Sequence, residues 1–106
     1  MSTAGGRIEQ LRRLLDKEPN DAFCLYGLGQ EYARRGDSTS AVQWYDRAIA
    51  ADPDMSYAYF HKARVLQEAD DIDGAVATLR AGLEAARRAN DAKATNEIAG
   101  YLDELT

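Results

Sequence analysis

The chain has 106 residues, 45% hydrophobic and 29% charged, which sets it with single globular domains and apart from disordered or low-complexity chains. One cysteine, Cys24, and one histidine, His61, exclude an internal disulfide framework and a His/Cys zinc cluster. A net charge of −5 disfavours nucleic acid and anionic membrane as partners, and no run approaches the roughly eighteen apolar residues of a membrane span. Residues 1–6 are small and polar with no apolar stretch behind a basic start, so the expected compartment is the cytoplasm.

The first expected element covers residues 7–19, where Ile8, Leu11, Leu14 and Leu15 share a helical face and Pro19 closes the segment. Residues 22–55 hold two helices. Leu25, Leu28, Gly29 and Tyr32 recur at i, i+3, i+4 and i+7 in the first. Gly36 suits the left-handed position after a helix, and Asp37 suits the N-cap of the next. Ala41, Tyr45, Ala48 and Ile49 mark the second helix, which Asp52-Pro53 ends because the residue before proline is held out of the α region. Residues 56–89 repeat the plan with Tyr59, Ala63 and Leu66, a turn at Asp70-Asp71, then Ala75, Leu79 and Leu83. Arg87 stands where proline would recur, so this helix is expected to run to about Ala89. Residues 91–105 align Ala94, Ile98, Tyr101, Leu102 and Leu105 on one face, with Lys93, Glu97, Asp103 and Glu104 behind. Gly100 weakens this capping helix by about 1 kcal/mol relative to alanine. Six helices and no strand are expected.

A 34-residue period underlies this order, set by Pro19 and Pro53. Residues 22–55 laid over 56–89 match identically only at Asp37/Asp71, Ala41/Ala75, Val42/Val76 and Ala51/Ala85, but residue size persists further. Phe23 faces Tyr57, Tyr26 faces Phe60, Gly29 faces Ala63 and Ala48 faces Gly82. Gly29 and Ala63 lack bulk where Tyr45 or Leu79 of the partner helix must enter. Residues 7–19 overlay 41–53 and read as the second helix of a missing repeat. Whether that helix packs on this chain or offers Ile8, Leu11 and Leu15 to another copy stays open. Lys62 conflicts with its core position: either its stem lies along apolar surface, or its helix is rotated.

The pattern Leu25-x2-Leu28-Gly29-x2-Tyr32, Ala41-x3-Tyr45, Pro53 resembles the tetratricopeptide repeat. Tyr59-x2-Lys62-Ala63-x2-Leu66 with Ala75-x3-Leu79 matches more loosely, Lys62 replacing the usual leucine and Arg87 the proline. The resemblance implies an all-α, right-handed α-α superhelix of helical hairpins, with no strands. It would form one domain over residues 1–106: half repeat 7–19, repeats 22–55 and 56–89, and capping helix 91–105. It further implies that the first helices line a concave groove. Opposite their core stripes fall Phe23, Tyr26, Gly27, Gln30 and Arg34, and Tyr57, Phe60, His61, Arg64 and Glu68. The expected peptide-binding groove therefore comprises Phe23, Tyr26, Gln30, Arg34, Tyr57, Phe60, His61 and Arg64.

The expected function is a non-enzymatic adaptor binding a peptide segment with an apolar anchor and an acidic group. The alternative is a structural, self-associating homodimer. The family subset that clamps acidic chaperone tails needs lysine, asparagine and arginine where Tyr26, Gln30, Tyr57 and His61 stand, so that partner is not expected. Asp71-x-Asp73-Gly74 resembles the middle of a calcium loop but is flanked by Ala69 and Arg80 where acids are needed, and reads as a solvated turn. Cys24 and His61 lack a third orienting group. No catalytic residue, metal or cofactor is expected. His61, Lys62 and Arg64 are too short a basic run for nucleic acid. Arg34-Arg35 and Arg87-Arg88 sit where positive charge supports helix C-termini.

Overall fold

The computed structural model describes the backbone of residues 3–106 and the side chains of residues 6–106. Six helices follow one another: α1 (Thr3–Lys17), α2 (Ala22–Arg34), α3 (Ser38–Ala51), α4 (Ser56–Glu68), α5 (Ile72–Arg88) and α6 (Ala92–Leu105). There is no strand among the described residues, and none of these helices is long and apolar enough to cross a membrane. The chain divides into two compact units, Met1–Asp52 and Pro53–Thr106. Each has its own core.

In the first unit α1 packs on α2, and α2 packs on α3. Ile8, Leu11 and Leu15 of α1 are buried, so this half repeat rests on its own chain. Leu14 departs from its expected place: it is 52% exposed, because the contact stripe of α1 is narrower than the sequence pattern. α1 also starts four residues ahead of residue 7, with Gly5-Gly6 inside it. Glycine makes a helix costlier without stopping it, and no proline stands there to do so. Gly29 carries the closest approach. A Cβ built on it would lie 2.6 Å from two ring carbons of Tyr45, a residue 1% exposed.

In the second unit α4 packs on α5, α5 on α6, and α4 touches α6. Ala63, Ala75, Leu79, Ala86, Ala94 and Ile98 form its centre. Gly82 repeats the close approach: a Cβ built on it would lie 2.6 Å from the Tyr59 Cβ. The Tyr59 hydroxyl donates to the Pro53 carbonyl at 2.7 Å. Arg88 donates to that carbonyl at 3.2 Å and pairs with Asp54 at 3.0 Å, tying the start of the unit to α4 and α5. Ala58, Tyr59, Ala63 and Val65 are buried in the phase that Cys24, Leu25, Gly29 and Glu31 take in α2. α4 is therefore not rotated, and Lys62 is half-buried where Leu28 is fully buried.

The turns explain the helix boundaries. Gly36, Asp70 and Asn90 take positive φ (76°, 64° and 53°), and each precedes an aspartate. The amides of Asp37, Asp71 and Asp91 donate back to Tyr32, Leu66 and Ala86, closing the same C-terminal motif three times. Each aspartate then accepts from the third residue of the next helix: Ser40, Gly74 and Ala94. Asp21 caps α2 likewise through the Cys24 amide. Asp71, the first residue of the calcium-like sequence, thus serves as a helix cap.

Candidate peptide-binding surface

The expected groove residues divide between the two units. In the first, Phe23 projects from the first turn of α2 and is 79% exposed. Tyr26 is half-buried with its ring 5.9 Å from Tyr45. Its hydroxyl accepts from Gln30 Nε2 at 3.1 Å, so these two groove residues form one polar pair. Arg34 is exposed and pairs with Glu31 at 3.2 Å. Glu31 is 8% exposed and also lies 3.9 Å from Arg7, so one buried carboxylate already faces two guanidiniums. Gly27 does not belong to the groove face. Its Cα side faces Leu11 of α1, 3.3 Å from a notional Cβ, because the gap it leaves is what lets α1 settle.

In the second unit Phe60 is the hub. Its ring lies 6.4 Å from Tyr57, 5.5 Å from His61 and 5.3 Å from Tyr101 of α6. Tyr57 and Phe60 pack in part against the core, so they are half-buried walls rather than free anchors. Beside Phe60 an open cleft of about 490 Å³ runs between α4 and α6. Arg64, Gln67, Asn96, Glu97, Tyr101 and Glu104 line it along with Gly100. The Tyr101 hydroxyl donates to Gln67 across it. The exposed Arg64 supplies one cation, while Glu97 and Glu104 supply two carboxylates. The expected groove was aromatic and basic. The cleft is aromatic and mixed in charge, because α6 turns two residues of its polar side towards α4.

Local charges follow from this packing. Burial lowers the His61 pKa below its ordinary 6.5, and nearby Arg64 adds to the effect. Burial raises the Tyr57 phenol, helped by Glu97 beside it. Tyr101 is raised by burial, with Arg64 opposing and Glu68 and Glu104 adding to the rise. The Cys24 thiol is raised by burial and by Asp21, which keeps it from acting as a thiolate. No group of three His, Cys, Asp or Glu side chains among the described residues could hold a metal. Sequence reasoning missed Tyr101, Glu97 and Glu104 as cleft residues. Their place depends on how α6 crosses α4, which helical phase alone does not give.

Paired helices, each pair closed by an aspartate-capped turn and opened for packing by a small residue, define a helical-hairpin repeat protein. A tetratricopeptide repeat profile matches residues 8–56. A TPR repeat-containing protein of Pseudomonas aeruginosa is 31% identical over 98 residues, covering 92% of this chain and 93% of that one. The chain belongs to the tetratricopeptide repeat family. The solution structure of a tetratricopeptide repeat domain protein from Salinibacter ruber superposes with a TM-score of 0.76 at 26% identity, covering 82% of this chain and 88% of that one. PcrH, solved in complex with the chaperone binding region of PopD, superposes with a TM-score of 0.85 over 97% of this chain and 80% of that one. At 20% identity that likeness speaks for the fold.

Proposed function

We propose that the chain is a non-enzymatic adaptor that binds a segment of a partner protein on its first helices, chiefly in the cleft between α4 and α6. The cleft carries this reading: an apolar side chain of the segment rests on Phe60 and Tyr101, one of its carboxylates meets Arg64, and a basic residue meets Glu97 or Glu104. In the first unit, Tyr26, Gln30 and the exposed Phe23 offer a separate contact surface on α2. PcrH is a case of this fold in complex with part of another protein. The test is affinity capture from the cells that express the chain, with an Arg64→Glu/Glu97→Lys variant alongside. Both substitutions replace exposed charges and leave the core intact. A partner held by the native chain and lost by the folded variant supports the reading. A partner held equally by both removes the cleft as its site.

The self-associating homodimer is the second reading, and Phe23 and Leu14, both large, apolar and more than half exposed, favour it. Sedimentation over a range of concentrations separates the two. A constant monomer mass supports the adaptor, and a mass that doubles with concentration supports the dimer.

A further inference from the structure

Trp44, the single tryptophan of the chain, gathers cations around it. The guanidinium of Arg47 lies 4.7 Å from the indole centroid and that of Arg12 lies 5.4 Å from it. Both distances are within cation–π range. Tyr32 lies nearly parallel to the indole, 6.5 Å away, and its hydroxyl accepts from Arg12 Nη2 at 3.0 Å. Trp44, Arg12 and Arg47, with Leu15, Asp16 and Pro19, line an open cleft of about 380 Å³ between α1 and α3.

Two guanidiniums thus converge on one ring, and neither forms an ion pair among the described residues. The ring attracts each, but the two repel one another, and an anion between them relieves that repulsion. A guanidinium fork takes a carboxylate through two parallel hydrogen bonds. Pro19, Leu15 and the indole add apolar lining, which a bare anion would not use and a peptide side chain would. Asp16 on the same wall repels any anion, and a phosphate with two charges at one point more than a carboxylate with one. Most of the acidic surplus of the chain falls in residues 53–106, and the first unit, with a net charge of −1, repels an anionic ligand only weakly.

We propose that this cleft is a second docking site, for an acidic segment of a partner protein. Its carboxylates sit on Arg12 and Arg47, and an apolar side chain lies against Trp44 and Pro19. The site uses α1 and α3 and none of the α4–α6 cleft residues, so it stands or falls independently of that reading.

Trp44 reports on the site directly. The full chain is titrated with the synthetic peptide Glu-Asp-Leu-Glu-Asp-Leu, with its amide counterpart Gln-Asn-Leu-Gln-Asn-Leu, and with inorganic phosphate, while Trp44 emission is followed. The acidic peptide is expected to give a saturable change that weakens with added salt. Its affinity is expected to fall at least about tenfold in an Arg12→Gln/Arg47→Gln variant that circular dichroism shows to be helical. If that variant unfolds, Arg47→Gln alone carries the same test, since its guanidinium makes no hydrogen bond among the described residues. An equal response to the amide peptide, or an unchanged affinity in the variant, overturns the proposal. A response to phosphate as strong as to the acidic peptide also overturns it, in favour of a simple anion site.

Discussion

At the residue scale, two glycines in helices have opposite meanings. Replacing Gly29 with alanine gains the usual helix propensity of about 1 kcal/mol. It also drives a methyl group to 2.6 Å from the ring of Tyr45, which is 1% exposed and has nowhere to move. Overpacking of that kind costs about 1–3 kcal/mol, so Gly29→Ala is expected to lower the urea midpoint. Gly100 meets nothing within 4 Å, and Gly100→Ala is expected to raise the midpoint by up to about 1 kcal/mol of stability. Sequence phase identified the tight contact at Gly29, because a small residue in a large-residue stripe needs a reason. It misplaced Gly27, because two small residues two positions apart look alike until α1 is seen lying on one of them. His61 gives a second prediction. Its folded-state pKa lies below its ordinary 6.5, so the unfolded chain takes up the proton first as pH falls. The stability that neutral His61 contributes is present above about pH 6.5 and is lost as pH falls through the folded value. An NMR titration should find its midpoint below 6.5, and Arg64→Gln should move that midpoint upward.

At the element scale, three turns share one backbone but differ in chemistry. The left-handed position is Gly36 in one, Asp70 in the next and Asn90 in the third. Glycine adopts that conformation without a Cβ penalty, whereas aspartate does so at some cost. Asp70→Gly is therefore expected to raise the melting temperature modestly. Asp71→Ala should lower it, removing the cap on α5 at a cost of about 1 kcal/mol. Gly36-Asp37 announced its turn in the sequence. The turn at Asp70-Asp71 was legible from the repeat, but its left-handed residue was not, since nothing in a pair of aspartates says which one carries it. The α4–α6 cleft lay one step further out of reach: the core stripe of α6 was readable, yet which polar residues flank it towards α4 depends on a crossing geometry. The Trp44 cluster was half readable. Arg47 follows Trp44 by three residues on one helix face, but Arg12 arrives from α1.

At the scale of the whole molecule, stability rests on two small cores, the first built mainly from leucine and tyrosine and the second largely from alanine around a few large side chains. Leu79 is fully buried at the centre of the second. Leu79→Ala should cost about 2–5 kcal/mol out of a total of about 5–15. Hydrogen exchange should then show protection falling across α4, α5 and α6 together, since all three cover that side chain's cluster. Loss confined to α5 would contradict a shared core. The six-helix order was legible because the 34-residue period, the size pattern and the stop signals all agree.

The boundary between the two units falls on the peptide bond joining Asp52 to Pro53. An aspartate carboxyl can attack its own carbonyl, and the basic proline nitrogen is a good leaving group once protonated, so this linkage yields to dilute acid before others do. Both residues are exposed. Mild acid therefore offers a chemical scissor at the seam itself, releasing residues 1–52 and 53–106 without a protease or a new gene. The second fragment would begin with a proline whose carbonyl Tyr59 and Arg88 already hold. Its new amino terminus would be anchored from the start.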